Sequence, residues 1–161
     1  MTTPPTALLR GNALDLLDGL REHLGSGDTG DAPALVWALR LTPTGDLDDH
    51  RALEDRFDED LALLAPRGVV VVVMETTGAW HASARSVLDD TCDYIAERAR
   101  TTYGIEASVV GIGGADLDPG RLATAVSDYL RRPVLIGETV ALDISDLGAG
   151  GIRSAVHAAL L

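Results

Sequence analysis

Gly68-Val69-Val70-Val71-Val72-Val73-Met74-Glu75-Thr76-Thr77-Gly78 is the stretch that decides the fold. Side chains alternate across a strand, so five consecutive valines put apolar branches on both of its faces. Such a strand needs cover above and below, as a central strand of a parallel sheet has when helices flank it. The run is too short to span a bilayer, which takes about 20 apolar residues, and its character changes at Glu75. Open α/β sheets bind ligands beyond the carboxyl ends of their strands. Glu75 and the residues after it therefore mark the rim where a site is expected.

Outward from this run, helical and strand patterns alternate. Leu9, Ala13, Leu16, Leu17, Leu20 and Leu24 recur at three- and four-residue steps, which predicts an amphipathic helix over residues 6–24. Ala34 to Leu41 reads as a strand, apolar on both faces apart from Arg40. A helix is predicted from Asp48 to Leu64, with Leu53, Phe57, Leu61 and Leu64 as its buried stripe and Asp48, Asp49, Glu54, Asp55, Asp58, Glu59 and Asp60 on the other side. Pro66-Arg67-Gly68 ends it and leads into the valines.

Residues 80–102 form the longest helical pattern, with Ala84, Val87, Leu88, Cys92, Ile95 and Ala99 facing inward. A strand over 105–112 is expected to break at Gly111-Ile112-Gly113-Gly114, and Asp118-Pro119 supplies an N-cap and a first-turn proline for another helix. Within Pro133 to Ile144 the second half alternates, Val140, Leu142 and Ile144 against Ala141, Asp143 and Ser145, as in a strand with one wet face at a sheet edge. Glycines follow, then a short terminal helix bearing Ile152, Val156 and Leu160. The alternation predicts one three-layer α/β/α domain over residues 1–161, with a mostly parallel sheet of about four or five strands, Val69–Met74 at its centre and residues 1–5 disordered.

Thirteen arginines stand against 25 acidic residues, a formal charge of −12, and there is no lysine. An acidic surface repels phosphate backbones, so nucleic-acid binding through a basic face is not expected. A basic protein partner, met through the acidic helix, is compatible with this charge. A single cysteine, Cys92, excludes an internal disulfide and a multi-cysteine metal site. The amino terminus lacks the basic and apolar regions of a signal peptide, no membrane span is expected, and the expected location is the cytoplasm.

Several groups of residues carry potential chemistry. Glu75, Thr76, Thr77 and His81 follow the central strand directly, and a carboxylate, two hydroxyls and an imidazole there suit metal binding or proton transfer. Gly111, Gly113 and Gly114 begin like a dinucleotide-binding turn, but Asp116 stands where the third glycine belongs. Asp116 and Asp118 also place negative charge where a phosphate would sit, and suit a divalent cation with oxygen ligands instead. With Glu75 they form the candidate metal set, His81 serving as ligand or proton carrier. Glycines 148, 150 and 151 with Arg153 resemble an anion-binding nest without the spacing of a phosphate-binding loop. No serine lies in a Gly-x-Ser-x-Gly elbow.

Three functions compete on these residues. The first is a non-catalytic α/β module that binds a ligand or partner, or self-associates through an edge strand or the terminal helix. The second is a small metal-dependent phosphoester hydrolase with its site at the strand ends. The third is an acidic inhibitor of a basic protein. The first leads, because no catalytic cluster is specific and one α/β scaffold serves many functions.

Overall fold

A computed structural model describes residues 3–26, 32–41, 55–135 and 137–161. In chain order the elements are β1 (Thr6–Gly11), α1 (Leu14–His23), β2 (Gly25–Ser26), β3 (Ala32–Leu41), α2 (residues 55–61) and β4 (Leu64–Thr76). They continue with α3 (Ala82–Tyr103), β5 (Ser108–Ala115), α4 (Pro119–Arg131), β6 (Thr139–Asp143), a 3-10 turn over Ile144–Asp146 and α5 (Gly151–Ala159). The sheet order is β2-β1-β3-β4-β5-β6, and every pairing is parallel. Five strands carry it, with the two-residue β2 appended at one edge. No helix among the described residues is long and apolar enough to cross a membrane.

The valine run behaves as its composition requires. Val69, Val71 and Val73 join Val36, Ala38, Val110 and Ile112 in a core covered by α1, α4 and α5. Val70, Val72 and Met74 turn to the other face, with Leu35, Trp37 and Leu39, and pack against α2 and α3. All five valines are buried, and each contributes on the order of 1.5–3 kcal/mol of apolar burial. Trp37 meets Phe57 of α2 edge-on, ring centroids 4.2 Å apart, an arrangement aromatic quadrupoles favour.

The connections have an uncommon feature. From β4 through α3 to β5, and from β5 through α4 to β6, the chain steps one place in the same direction across a parallel sheet. Yet α3 packs on one face and α4 on the other. The two crossovers therefore have opposite hands, whereas such connections are nearly always right-handed.

Three expectations need correction. Residues 6–11 form strand β1, not the start of a helix: Ala7 and Leu8, adjacent in sequence, are buried in opposite cores, which only an extended chain allows. Gly11 then closes the strand at φ 127°, where a Cβ would lie 2.0 Å from the Ala38 carbonyl oxygen. That oxygen accepts from the Asn12 and Ala13 N–H groups. Second, β5 does not break at its glycines but runs through them to Ala115. A Cβ on Gly111 would meet Cys92 Sγ at 2.6 Å, and one on Gly113 the Trp80 ring at 2.1 Å. Here glycine marks close approach rather than a turn. Third, Leu64 opens β4 instead of ending a helix, with a register shift opposite Ala32 to Ala34.

Of the acidic helix predicted over residues 48–64, residues 48–54 lie outside the described residues, and 55–61 are helical. β6 is an edge strand, as its alternation predicts, with Val140 and Leu142 buried between half-buried neighbours, although it begins only at Thr139.

Candidate functional site

Glu75 and Arg40 end adjacent strands in register, both on the face covered by α1 and α4. Glu75 is buried, so its charge requires partners. Its Oε1 accepts from Arg40 Nε at 2.8 Å, and its Oε2 accepts from the Leu117 N–H at 2.7 Å. Arg40 Nη2 also reaches Asp15 Oδ1 of α1 at 2.6 Å. The Arg40 hydrogen bond holds the Asp15 carboxyl below the usual aspartate range, and the two carboxylates hold the guanidinium up. Asn12, the only asparagine of the chain, fixes the Arg40 backbone: its Oδ1 accepts the Arg40 N–H at 2.7 Å and its Nδ2 donates to the Arg40 carbonyl at 3.3 Å. One ion-pair network thus ties α1, β3, β4 and the approach to α4 together at the carboxyl rim.

The other candidate residues take up separate positions on this rim. β4 and β5 are neighbours, so the segments after Glu75 and Gly111 do meet: the Asp116 N–H donates to the Thr76 carbonyl at 3.2 Å. Asp116 itself is exposed at φ 48°, a left-handed conformation that aspartate tolerates. Asp118 caps α4, accepting from Gly120 N at 3.0 Å. Thr76 Oγ1 donates to the Ala79 carbonyl at 2.8 Å, while Thr77 and His81 are exposed, His81 at the N-cap of α3. A Cβ on Gly114 would meet Ile144 and Leu117. Arg153 Nη1 donates to the Arg132 carbonyl at 2.5 Å, at the end of α4 and away from an anion nest. Among the described residues no three His, Cys, Asp or Glu side chains gather as a metal ion would need.

A second cluster at the rim is absent from any sequence pattern. Asp143, at the end of β6, accepts from Trp80 Nε1 at 2.8 Å and from Arg85 Nη1 at 2.9 Å. The Trp80 ring lies against Gly113, and Arg85 also pairs with Asp89 at 3.5 Å. The only available signal was an aromatic residue at a strand-to-helix junction. Cys92, behind this cluster, is buried, and desolvation pushes its thiol up to about 12, so the nucleophilic thiolate is suppressed.

Within the acidic helix, two carboxylates point into the protein. Asp58 receives Arg98 Nε at 2.7 Å and Nη2 at 3.0 Å, and Asp60 receives Arg10 Nε at 3.2 Å. Burial pushes the Asp60 carboxyl up, outweighing the pull of Arg10. The folded state therefore holds this proton more tightly than the unfolded chain, and stability from this group falls as pH rises from its ordinary value of 3.8 through the raised one. Asp60→Asn, which keeps an acceptor for Arg10, is expected to melt higher than the parent at pH 7 and to match it at pH 3. A lower melting temperature at pH 7 would show that the ion pair outweighs the desolvation.

Surface hollows lie at the opposite rim. One of about 630 Å³ is lined by Asp93, Glu97, Arg100, Glu106 and Glu138, and one of about 490 Å³ by Pro5, Pro33, Leu130, Arg131 and Pro133. Both sit at the amino ends of strands. No family model, no curated protein sequence and no solved structure matches the chain.

Proposed function

We propose that this chain is a non-catalytic α/β binding module. The observation that carries the reading is that the buried and half-buried carboxylates of the carboxyl rim, Glu75 and Asp143, are engaged by partners within the fold. Both oxygens of Glu75 are occupied, by Arg40 and by the Leu117 N–H. Asp143 is shared between Trp80 and Arg85, and Asp118 caps a helix. Groups so engaged are poor acids, bases or ligands, because withdrawing any of them leaves a partner unsatisfied. A basic protein is the partner class that the net charge of −12 favours. Asp89, Asp90, Asp93 and Glu97 are exposed along α3, with Asp89, Asp93 and Glu97 also bonded to Arg85, Thr139 and Arg100.

The test sets this reading against the metal-dependent hydrolase. Turnover of generic phosphomonoester and phosphodiester substrates is measured with Mg²⁺, Mn²⁺ and Zn²⁺, and melting temperature is followed as each ion is titrated at matched ionic strength. Asp116→Asn is the comparison variant, since Asn keeps the left-handed conformation and the Arg40–Glu75 pair is untouched. Equal melting shifts in both proteins, without turnover, are expected. A shift specific to one ion and lost in Asp116→Asn, or turnover lost with it, would replace the binding-module reading by the hydrolase.

A further inference from the structure

The edge of β6 is where this sheet could grow. The Val109 N–H donates to the Glu138 carbonyl, and Val109, Gly111 and Gly113 lie opposite Thr139, Ala141 and Asp143. In a parallel ladder each residue bonds to the two neighbours of the residue opposite it. Val140 and Leu142 therefore bond inward to β5, and the backbone groups of Thr139, Ala141 and Asp143 face outward. Such a row is a template for another strand. Two of its groups are already taken by side chains. Arg85 Nη2 donates to the Ala141 carbonyl at 2.6 Å, and the Asp143 N–H donates to Asp146 Oδ2 at 3.1 Å.

We propose that Arg85 guards this edge against strand addition by a second copy of the chain. Its guanidinium reaches over from α3, held by Asp143 at 2.9 Å, with Asp89 3.5 Å from its Nε. It occupies the central outward acceptor of a five-residue strand. A second β6 would need that carbonyl for its own ladder and would have to displace a charge-assisted hydrogen bond, which is stronger than the neutral one replacing it. Asp146 closes the carboxyl end of the same row. Of the apolar residues of α5, Ile152 and Val156 are buried against the rest of the core, whereas Leu160 and Leu161 beyond it are exposed.

The experiment replaces Arg85 by methionine, which keeps an apolar stem but donates nothing. Arg85→Ala is the second variant should methionine perturb the fold, and far-ultraviolet circular dichroism checks both. The side chain is one-third exposed, so a neutral residue there is tolerable. Light scattering across a concentration series is expected to give the mass of one chain for the parent. For the variant the mass should rise toward twice that value with concentration. Adding Ala141→Pro removes the outward N–H without touching the inward ladder, and should return the variant to a single-chain mass. A folded Arg85 variant that stays at the mass of one chain overturns the proposal. So does association that survives Ala141→Pro, which would place the contact elsewhere.

Discussion

Val71→Asp is expected to yield no cooperatively folding protein. Val71 is fully buried in the middle of the central strand, with Val36 and Val110 in register on either side. Its side chain points into a core of aliphatic residues covered by α1 and α4. An aspartate there meets no partner in that core cluster. Remaining charged would cost several kcal/mol per ion. Escaping by taking up a proton at neutral pH means raising its pKa by roughly 3 units, on the order of 4 kcal/mol. The neutral acid would still bury an unsatisfied hydroxyl at about 1–3 kcal/mol and forfeit the burial of valine. Together these rival the entire stability of an ordinary domain, about 5–15 kcal/mol. Val71→Ala, which only empties space, should cost roughly 2 kcal/mol and still melt cooperatively. Soluble Val71→Asp protein with a sharp thermal transition would show that the strand is not central to the core.

Arg40→Met is expected to destabilise the protein by about 3–5 kcal/mol, because it strands a buried carboxylate. The two partners are unequally placed: the Glu75 side chain is 6% exposed and that of Arg40 39%. Removing arginine leaves Glu75 with the Leu117 N–H as its only remaining partner of those described, inside the protein. Removing the acid leaves an arginine that still reaches solvent and Asp15. Glu75→Gln should therefore cost less, about 1–2 kcal/mol, since the amide oxygen can still accept one of the two bonds. Arg40→Met combined with Glu75→Leu should be more stable than Arg40→Met alone. Urea midpoints at constant slope report all three. Equal losses for Arg40→Met and Glu75→Gln would mean that burial of the carboxylate is not what makes the pair matter.

The same pair shows why the rim was only half legible. Glu75 is visible in the sequence as the first charge after a run of valines, and a carboxylate at a strand end invites a metal or a proton. Its partners lie 35 and 42 residues away, at Arg40 and Leu117. Arg40 is likewise visible as the lone charge ending an apolar strand. Nothing in the spacing of either residue announces that their strands pair in register. Trp80 and Asp143 are 63 residues apart, and the glycine that receives the indole reads locally as a turn.

The amino-acid sequence by itself determined the three-layer architecture, the central place of Val69–Met74 and the edge character of the residues around Val140 and Leu142. Those properties follow from which neighbouring side chains are apolar, and the period of a strand or helix converts that directly into buried faces. Only the tertiary structure decided that residues 6–11 are a strand, that Gly111 and Gly113 lie inside one, and that Glu75 is spent on Arg40. Each of these depends on what another part of the chain brings alongside: β3 beside β1, Cys92 and Trp80 against the glycines of β5, and a guanidinium one strand away. Local periodicity carries the burial of a side chain but not the identity of the atom it will meet.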